Sequence, residues 1–561
     1  MIQAFRRIFP FIQSLGDYNS TLFRSDFYAG VIVGIMLIPQ GLAYAFLAGM
    51  PPVYGLYAAV VPLIVYSFFG TSRHMSIGPV AISSLLVLAG ISKFAAPFSE
   101  DYIQLVLLSG FMIGILQFAL GIIKWGALVN FISHPVITGF TGAAAIIIAV
   151  NQIKDVLGIT VPSFQYSYQT FLYVIERIEE THLLTAVIGL GGLSMMFIIK
   201  NFFSRLPHAL LLVVISILLT YFFELDKQGL SIVGDVPEGL PALIVPNVEW
   251  SNIKMLFPVV LTVTLIGIVE SISIARVLEN KHQSYVVHPN QELIALGLSK
   301  ITGSFFQAIP TSGSFSRSAI NDESGAKTTV SSLIAAFLVI LTLAFLTPLF
   351  YYLPKAVLGA IILIAVQKLL DIKEAKHLWK THRPDFILML ITFLATLLLG
   401  IEIGVFLGIF LSLFVVLYRS SKPDLIILGK VPGTTYYRSI ERFQDAEEVE
   451  GKLILRFDNQ LYYGNASHFK KKIKSTVNSY SEDVKELLLD AKSIHYIDSS
   501  GLKALNEINN FLDKKNIKLV ICGAVGVVRD TLRQSGFLKK IGENRHFIYL
   551  HQAIEKPNEN E

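Results

Sequence analysis

The sequence predicts an α-helical, polytopic membrane protein that ends in a soluble α/β domain. Only 16% of the 561 residues are charged, whereas soluble domains average about 25%. Apolar blocks long enough to cross a bilayer recur up to residue 422, and beyond it charge becomes dense. We therefore expect a transmembrane domain over 27–422, a cytoplasmic domain over 430–555, a cytoplasmic N-terminal segment over 1–26 and a disordered polar tail over 556–561.

Fourteen apolar stretches are expected to lie in the membrane. In chain order they are 27–46, 53–69, 79–92, 104–123, 136–153, 183–200, 208–223, 256–275, 291–308, 314–322, 328–350, 354–368, 385–400 and 402–418. With this count the predicted inner loops are richer in Lys and Arg than the outer loops, and such residues cluster over 368–383. By the positive-inside rule, we expect both termini in the cytoplasm and the chain in the inner membrane of the cell.

Two of these stretches, the third and the tenth, begin beside a proline-interrupted segment. Pro79 marks the first break and Pro310 the second, so the breaks occupy the same position in each half of a seven-plus-seven arrangement. Proline is common in membrane helices generally, but paired breaks in matching positions are typical of transporter binding sites. A helix that begins inside the membrane leaves backbone N–H groups unpaired, and together with the helix dipole these groups attract an anion.

The side chains near the two breaks suit an oxyanion. Ser314 and Ser316 offer hydroxyl donors, and Arg317 offers a permanent charge with a planar fork of donors. Gln40 and Tyr44, four residues apart, share a face of the first helix and could reach the same ion, or could instead be a polar pair packed between helices. We expect the anion to contact Gln40, Tyr44, Val80, Ala81, Ser314, Ser316 and Arg317.

Ionisable residues inside membrane segments are rare and usually functional. Glu270 lies deep in the eighth stretch, Arg317 lies one turn into the tenth, and Glu402 lies near a helix end where it can reach water. An anion beside Arg317 would compete with Glu270 for the guanidinium and favour the protonated carboxyl, which would couple proton uptake to anion binding. Alternatively, the two residues form a structural ion pair. A divalent anion requires two protons for charge balance, and the sequence identifies a carrier for one.

At these residues the chain resembles the SulP family of sulfate permeases. The resemblance spans nearly the whole chain and is carried by PQGLAYA (39–45), PVYGLY (52–57), FGTSRHMSIGPV (69–80), ESISIA (270–275) and SFSRSAIN (314–321). It implies an inverted repeat of seven helices, a core domain that moves against a gate domain like an elevator, and a homodimer. It also implies that Gln40, Tyr44, Ser316 and Arg317 contact sulfate and that Glu270 serves proton coupling.

Residues 430–555 are expected to alternate strands with helices around a mixed sheet. Strands are predicted at 452–457, 486–490 and 518–522, and helices at 465–480, from about 502 to 514, and at 526–535. The turn around Ser500 resembles the STAS domain, the module of anti-sigma-factor antagonists that SulP permeases carry, and this resemblance implies a cytoplasmic regulator as partner. Ser500 matches a serine that is phosphorylated in some free-standing relatives; alternatively, Asp498 and the serines after it simply cap a helix.

The expected function is secondary active transport, most concretely symport of sulfate or a similar anion with protons. The sodium-dependent bicarbonate branch of the family looks different, because it has an aspartate-centred sodium site and no arginine that matches Arg317. A bicarbonate, chloride or dicarboxylate carrier of the same fold and a non-transporting anion sensor are the alternatives. We expect no enzyme activity, metal or cofactor, since no nucleotide-binding loop, metal cluster or nucleophile arrangement is apparent, and a net charge of +5 does not indicate nucleic-acid binding.

Overall fold

The computed structural model describes residues 9–14, 16, 18–126, 133–162, 164, 166–202, 207–234, 239–480 and 484–555. The chain divides into two compact units, Met1–Ser412 and Leu413–Glu561. Residues 1–8 of the predicted N-terminal segment and the predicted tail 556–561 lie outside the described residues.

The first unit is built mainly of helices. In chain order the helices that begin in this unit are α1 Phe11–Ser14, α2 Ser20–Leu47, α3 Val53–Ala58, α4 Val61–Phe69, α5 Ala81–Ile91, α6 Glu100–Ile122, α7 His134–Leu157, α8 Ser167–Glu176, α9 Leu183–Phe202, α10 His208–Phe222, α11 Trp250–His282, α12 Pro289–Phe305, α13 Phe315–Glu323, α14 Val330–Phe345, α15 Lys355–Val366, α16 Ile372–Thr381, α17 Arg383–Leu399 and α18 Ile401–Ser421. Helices cover every stretch that was predicted to lie in the membrane. Among the described helices, α2, α6, α7, α11 and α18 are long and apolar enough to span a bilayer.

The helix bounds differ from the predicted stretches where polar residues take part in the helix. The predicted stretch 53–69 is divided between α3 and α4. α2 begins at Ser20 rather than at residue 27, because the side chain of Asn19 accepts hydrogen bonds of 3.0 Å from the N–H groups of Thr21 and Leu22. Polar residues at a helix start can therefore extend a membrane helix beyond its apolar stretch.

Glycines bring α2 and α3 together backbone to backbone. A Cβ on Gly41 would lie 3.1 Å from the carbonyl oxygen of Gly55, and a Cβ on Gly55 would collide with the carbonyl oxygen of Gly41. Glycine permits this approach because it has no side chain. The contact fixes α2, which carries Gln40 and Tyr44, against the segment that precedes the first break.

Two buried carboxylates tie loops to helices in this unit. Asp26 in α2 accepts hydrogen bonds from the N–H of Thr328 at 3.0 Å and from its hydroxyl at 2.5 Å. Glu292 in α12 accepts from the hydroxyl of Tyr66 at 2.8 Å and from the N–H of Thr71 at 2.6 Å. A buried charge is tolerated when its lone pairs are hydrogen-bonded in this way, so we assign both residues a structural role.

Two short strands belong to the first unit and six to the second. They are β1 Ile77–Gly78, β2 Ser312–Gly313, β3 Leu425–Lys430, β4 Tyr437–Ser439, β5 Lys452–Phe457, β6 Glu486–Asp490, β7 Lys518–Cys522 and β8 His546–Phe547. The helices of the second unit after α18 are α19 Ala466–Ser479, α20 Ser499–Asp513, α21 Gly526–Gln534, α22 Phe537–Ile541 and α23 Leu550–Glu555. Short 3₁₀ helices lie at Ile178–Glu180, Leu225–Gln228, Thr347–Tyr352, Gln367–Leu369 and Glu543–Arg545.

The second unit is a mixed α/β domain, as predicted. Its six strands are ordered β4-β3-β5-β6-β7-β8; β5 to β8 run parallel, and β3 is antiparallel to both of its neighbours. The three predicted strands match β5, β6 and β7, and the three predicted helices match α19, α20 and α21 within a few residues. Strand β3 was not predicted, and it begins before the expected domain start at residue 430.

Candidate anion-binding site

The two proline-interrupted segments lie side by side. β1 pairs antiparallel with β2, and Gly78 lies opposite Ser312. The pairing continues into the second half-helix, where the N–H of Ser314 donates to the carbonyl oxygen of Ser76 at 3.0 Å. The two half-helices α5 and α13 therefore start from one shared backbone junction, although the breaks are far apart in sequence.

Arg317 in the first turn of α13 is fully buried at this junction. Its Nη1 donates to the carbonyl oxygen of Pro79 at 2.9 Å and to Oε1 of Gln40 at 3.1 Å. Its Nε and Nη2 are buried without a hydrogen-bond partner. An unsatisfied buried donor costs about 1–3 kcal/mol, and more when it is charged, so the guanidinium presents two donors that an anion would satisfy.

Gln40 and Tyr44 both lie near this guanidinium. Gln40 is half-buried and accepts the hydrogen bond from Arg317. Tyr44 is 6% exposed and interacts electrostatically with Arg317. The structure thus places the predicted face of α2 beside the arginine of the tenth stretch; contact of either side chain with an anion stays a prediction.

The two half-helix N-termini differ in how they are capped. Val80, the N-cap of α5, makes no side-chain cap hydrogen bond, and Ala81 begins the helix. Ser314, the N-cap of α13, accepts from the N–H of Arg317 at 3.4 Å, and its Oγ lies 3.4 Å from Oγ of Ser316. The first turn of α5 therefore keeps its backbone donors free of a side-chain cap, as an anion site requires.

Glu270 lies in the interior of α11 with one carboxylate oxygen, Oε2, buried without a hydrogen-bond partner. It interacts electrostatically with Arg317, but among the described residues it makes no ion pair of 4.0 Å or less with that arginine. The next residue, Ser271, accepts a hydrogen bond of 2.9 Å from the N–H of Gly313 in β2. The structural ion pair considered as an alternative is thus not formed, and Glu270 lies directly beside the second break.

Sequence reasoning missed one buried cation, Lys300 in α12. The residue is 4% exposed, and its Nζ donates to Oε1 of Gln117 in α6 at 2.9 Å. A search of the predicted stretch 291–308 for every ionisable residue would have found it. Glu402, in contrast, pairs with Lys93 at 3.0 Å in a partly exposed ion pair, which explains it without a role in the site.

One group of side chains has the composition of a metal site. His74, His282 and Asp322 offer three ligand atoms within 4.8 Å of one another. However, Nδ1 of His74 lies 3.2 Å from the hydroxyl of Tyr285, its Nε2 lies 3.0 Å from a backbone carbonyl oxygen, and Asp322 pairs with His282 and Lys281 at 2.5 Å each. The two imidazole rings stack with centroids 4.1 Å apart. Because these atoms already have partners, the group fits a hydrogen-bonded network better than a metal site.

Ser500 lies in the first turn of α20 in the second unit. The N-cap of this helix is Asp498, whose Oδ1 accepts from the N–H of Gly501 at 2.8 Å and whose Oδ2 accepts from the N–H of Tyr463 at 2.9 Å. The capping alternative therefore accounts for Asp498. Phosphorylation of Ser500 stays a prediction.

Two family profiles match this chain. The profile described as the sulfate permease family matches residues 23–392, and the profile of the STAS domain matches residues 444–553. Sulfate transporter 4.1, chloroplastic, of Arabidopsis thaliana is 36% identical over 566 residues, which cover 98% of this chain and 82% of that protein. High affinity sulfate transporter 1 of Stylosanthes hamata is 33% identical over 572 residues, which cover 98% of this chain and 85% of that protein.

Solved structures show the same architecture. The murine anion transporter Slc26a9 in its inward-facing state superposes with a TM-score of 0.91 at 25% identity and covers 98% of this chain and 93% of that chain. The transmembrane domain of the cyanobacterial bicarbonate transporter BicA superposes with a TM-score of 0.60 at 19% identity and covers 71% of this chain and 98% of that chain. The second likeness concerns the fold alone.

Proposed function

Because this chain belongs to the sulfate permease family, we propose that it is a secondary active transporter that imports sulfate, or a similar small oxyanion, together with protons. The observation that carries the proposal is the buried guanidinium of Arg317, which has two donors without partners beside the uncapped N-terminus of α5. A planar fork of charged donors suits the paired oxygens of an oxyanion. The helix N-terminus adds partial positive charge at the same junction.

Import of a divalent anion needs an energy source. One elementary charge that crosses 100 mV is worth about 2.3 kcal/mol, so sulfate entering a cell with a negative interior works against about 4.6 kcal/mol per 100 mV. Protons carried in the same cycle offset this charge and add the energy of the pH gradient. Glu270 is the proposed proton carrier, because its carboxylate lies in the field of Arg317 and lacks a partner on Oε2.

The connections of the site support movement of its parts as one body. Arg317 links α13 to α2 and to the first break, and Ser271 links α11 to β2. Helices joined around the anion in this way would travel together, which is what an elevator-like exchange between the two membrane faces requires. We propose that these elements belong to the moving core domain.

We further propose a homodimer in the inner membrane of the cell, with both termini in the cytoplasm. The distribution of Lys and Arg among the loops supports this orientation. In this arrangement the STAS domain faces the cytoplasm, where a regulator could bind it and where Ser500 would be accessible to a kinase.

The test is uptake of labelled sulfate into proteoliposomes with an imposed inward proton gradient and no sodium. We expect uptake that rises with the gradient, and we expect Glu270→Gln to weaken that dependence. Glu402→Gln is the matched control, since Glu402 is a membrane-end carboxylate that already pairs with Lys93. Uptake that ignores the proton gradient, or a Glu270→Gln variant that responds like the wild type, would contradict the proposal.

Other outcomes separate the alternatives. Uptake of bicarbonate, chloride or a dicarboxylate in place of sulfate would identify another carrier of the same fold. Anion binding without any net accumulation in intact vesicles would identify a sensor.

A further inference from the structure

We propose that Lys300 carries the second proton of the transport cycle, so that Glu270 and Lys300 together balance the charge of a divalent anion. This inference rests on the proposed function, which is proton-coupled transport of an oxyanion. Glu270 can carry one proton per cycle, and the inference assigns a carrier to the second proton that a divalent anion requires.

Lys300 is a buried ionisable group whose charge has no close counterion. Its side chain is 4% exposed, and its ammonium donates to Oε1 of Gln117 at 2.9 Å. In the part of the chain that the structure describes, no carboxylate lies within 4.0 Å of its Nζ. Its electrostatic partner is Glu270, which Arg317 also influences. The carboxylate therefore lies in the field of two buried cations, of which arginine stays charged and lysine can release a proton.

The elements packed against α12 bring few other charges to Lys300. α6 contributes the amide of Gln117, and the acidic residues of its first turn are exposed. α4 has no charged residue. α11 contributes Glu270, while its other charged residues lie nearer its ends. On α12 itself, Glu292 is hydrogen-bonded to Tyr66 and Thr71. Among the charged groups of these packed elements, Glu270 is therefore the one that acts on Lys300.

Gln117 can serve both protonation states of the amine. Its Oε1 accepts from the ammonium, and its Nε2 is buried without a partner. If the Gln117 amide group rotates by half a turn, its Nε2 donates to the lone pair of a neutral Lys300 amine. The amide also lies beside α11 and β2, because a Cβ on Gly267 would lie 3.7 Å from Nε2 and 3.5 Å from Oγ of Ser312. Gly267 precedes Glu270 by about one helical turn, so the amide connects the surroundings of the two proposed proton carriers.

The charges balance in both forms of the carrier. In the empty site Arg317 is positive, Glu270 is negative and Lys300 is neutral, which gives a net charge of zero. A bound sulfate adds two negative charges; one proton from the outer solution neutralises Glu270, and a second makes Lys300 positive. The loaded site is again neutral, and on the inner side the sulfate and both protons leave together. No charge would then cross the membrane in either direction of the cycle.

The experiment counts protons per sulfate with the full chain in proteoliposomes that contain a trapped pH dye, with labelled sulfate outside and the membrane potential clamped. We expect two protons per sulfate in the wild type and no effect of potential on accumulation. We expect one proton in both Lys300→Gln and Lys300→Arg, because neither side chain titrates. In both variants a potential of −100 mV inside should lower the equilibrium accumulation of sulfate about 50-fold. Lys254→Gln, an exposed lysine of α11, should match the wild type.

The outcomes separate this inference from the proposed function. Two protons in either variant, or one proton in the wild type, would overturn the role of Lys300 and leave proton-coupled transport standing. A Lys300→Arg variant that behaves like the wild type would show that a fixed positive charge suffices. Sulfate transport without protons in the wild type would overturn the proposed function itself. If a variant folds but does not transport, proton uptake on sulfate binding in detergent gives the same ratio.

Discussion

Gly78→Ala tests whether the free side of the Arg317 guanidinium holds the anion. A Cβ at this position would lie 3.1 Å from Nη2 of Arg317 and 3.3 Å from Cδ2 of Leu37. Nη2 is one of the two guanidinium nitrogens without a partner. A methyl group there occupies the space from which an oxygen would approach that donor. The substitution should therefore remove one charge-assisted hydrogen bond and leave the charge of the arginine in place.

The expected loss follows from the strength of that bond. A hydrogen bond to a charged group contributes about 1.5–3 kcal/mol, so the dissociation constant of sulfate should rise about 10- to 150-fold. Isothermal titration calorimetry of the detergent-purified protein measures this directly. Gly142→Ala in α7 is the control for added side-chain volume, because its Cβ would meet ring atoms of Phe393 at an ordinary 3.6 Å. Gly325→Ala is the control for backbone strain, because φ is positive at both Gly78 (+157°) and Gly325 (+91°) and no atom lies within 4 Å of a Cβ on Gly325. Unchanged affinity in a folded Gly78→Ala variant would refute the assignment of Nη2 as an anion donor, and an equal loss in Gly142→Ala would attribute the effect to general packing.

Four further outcomes are expected. Arg317→Ala should weaken sulfate binding by at least 100-fold, since it removes both free donors and the charge. An unchanged dissociation constant in calorimetry would exclude the arginine from the site. Asp26→Ala should lower the melting temperature of the solubilised protein, because the buried N–H of Thr328 would lose its acceptor at a cost of about 1–3 kcal/mol, and an unchanged melting temperature would argue against the structural role. Burial raises the pKa of the Cys522 thiol to about 12, so at pH 8 N-ethylmaleimide should modify it at least 100-fold more slowly in the folded protein than after unfolding, and equal rates would contradict its burial. Removal of 424–561, which takes out β3 together with the strands it pairs with, should leave sulfate affinity unchanged. Loss of binding by a folded truncation would contradict the inference that every residue of the site precedes this domain.

The positions of the helices and breaks were readable from the sequence because they depend on local properties. The length of an apolar run indicates a membrane helix, and the prolines at 79 and 310 mark where the third and tenth elements are interrupted. In the second unit, apolar runs such as 486–490 between amphipathic segments predicted the central strands. Strand β3 escaped prediction because Leu425–Lys430 follows closely on the apolar α18.

The contacts that build the site could not be predicted from the sequence, because they join residues that are far apart along the chain. Nothing local indicates that Gly78 pairs with Ser312 or that Arg317 donates to a backbone carbonyl. The sequence did place Glu270 and Arg317 in the membrane, and it left open an ion pair that the structure does not form. Lys300 was overlooked because it lies in an apolar stretch. A single charged residue lowers the mean hydropathy of such a stretch only slightly, so the stretch still indicates a membrane helix.

The junction between β1 and β2 also has a consequence for how the chain is made. The backbone N–H of Ser76 donates to the hydroxyl of Ser318, and these residues are 242 positions apart. At a synthesis rate of about 5–20 residues per second, the segment that pairs with the first break is made roughly 12–50 s after it. During that time the backbone polar groups of the first break are unpaired, and exposing each of them to lipid would cost several kcal/mol. The first half must therefore be sheltered by water or by the insertion machinery until the second half emerges, so the binding junction is completed late in biogenesis.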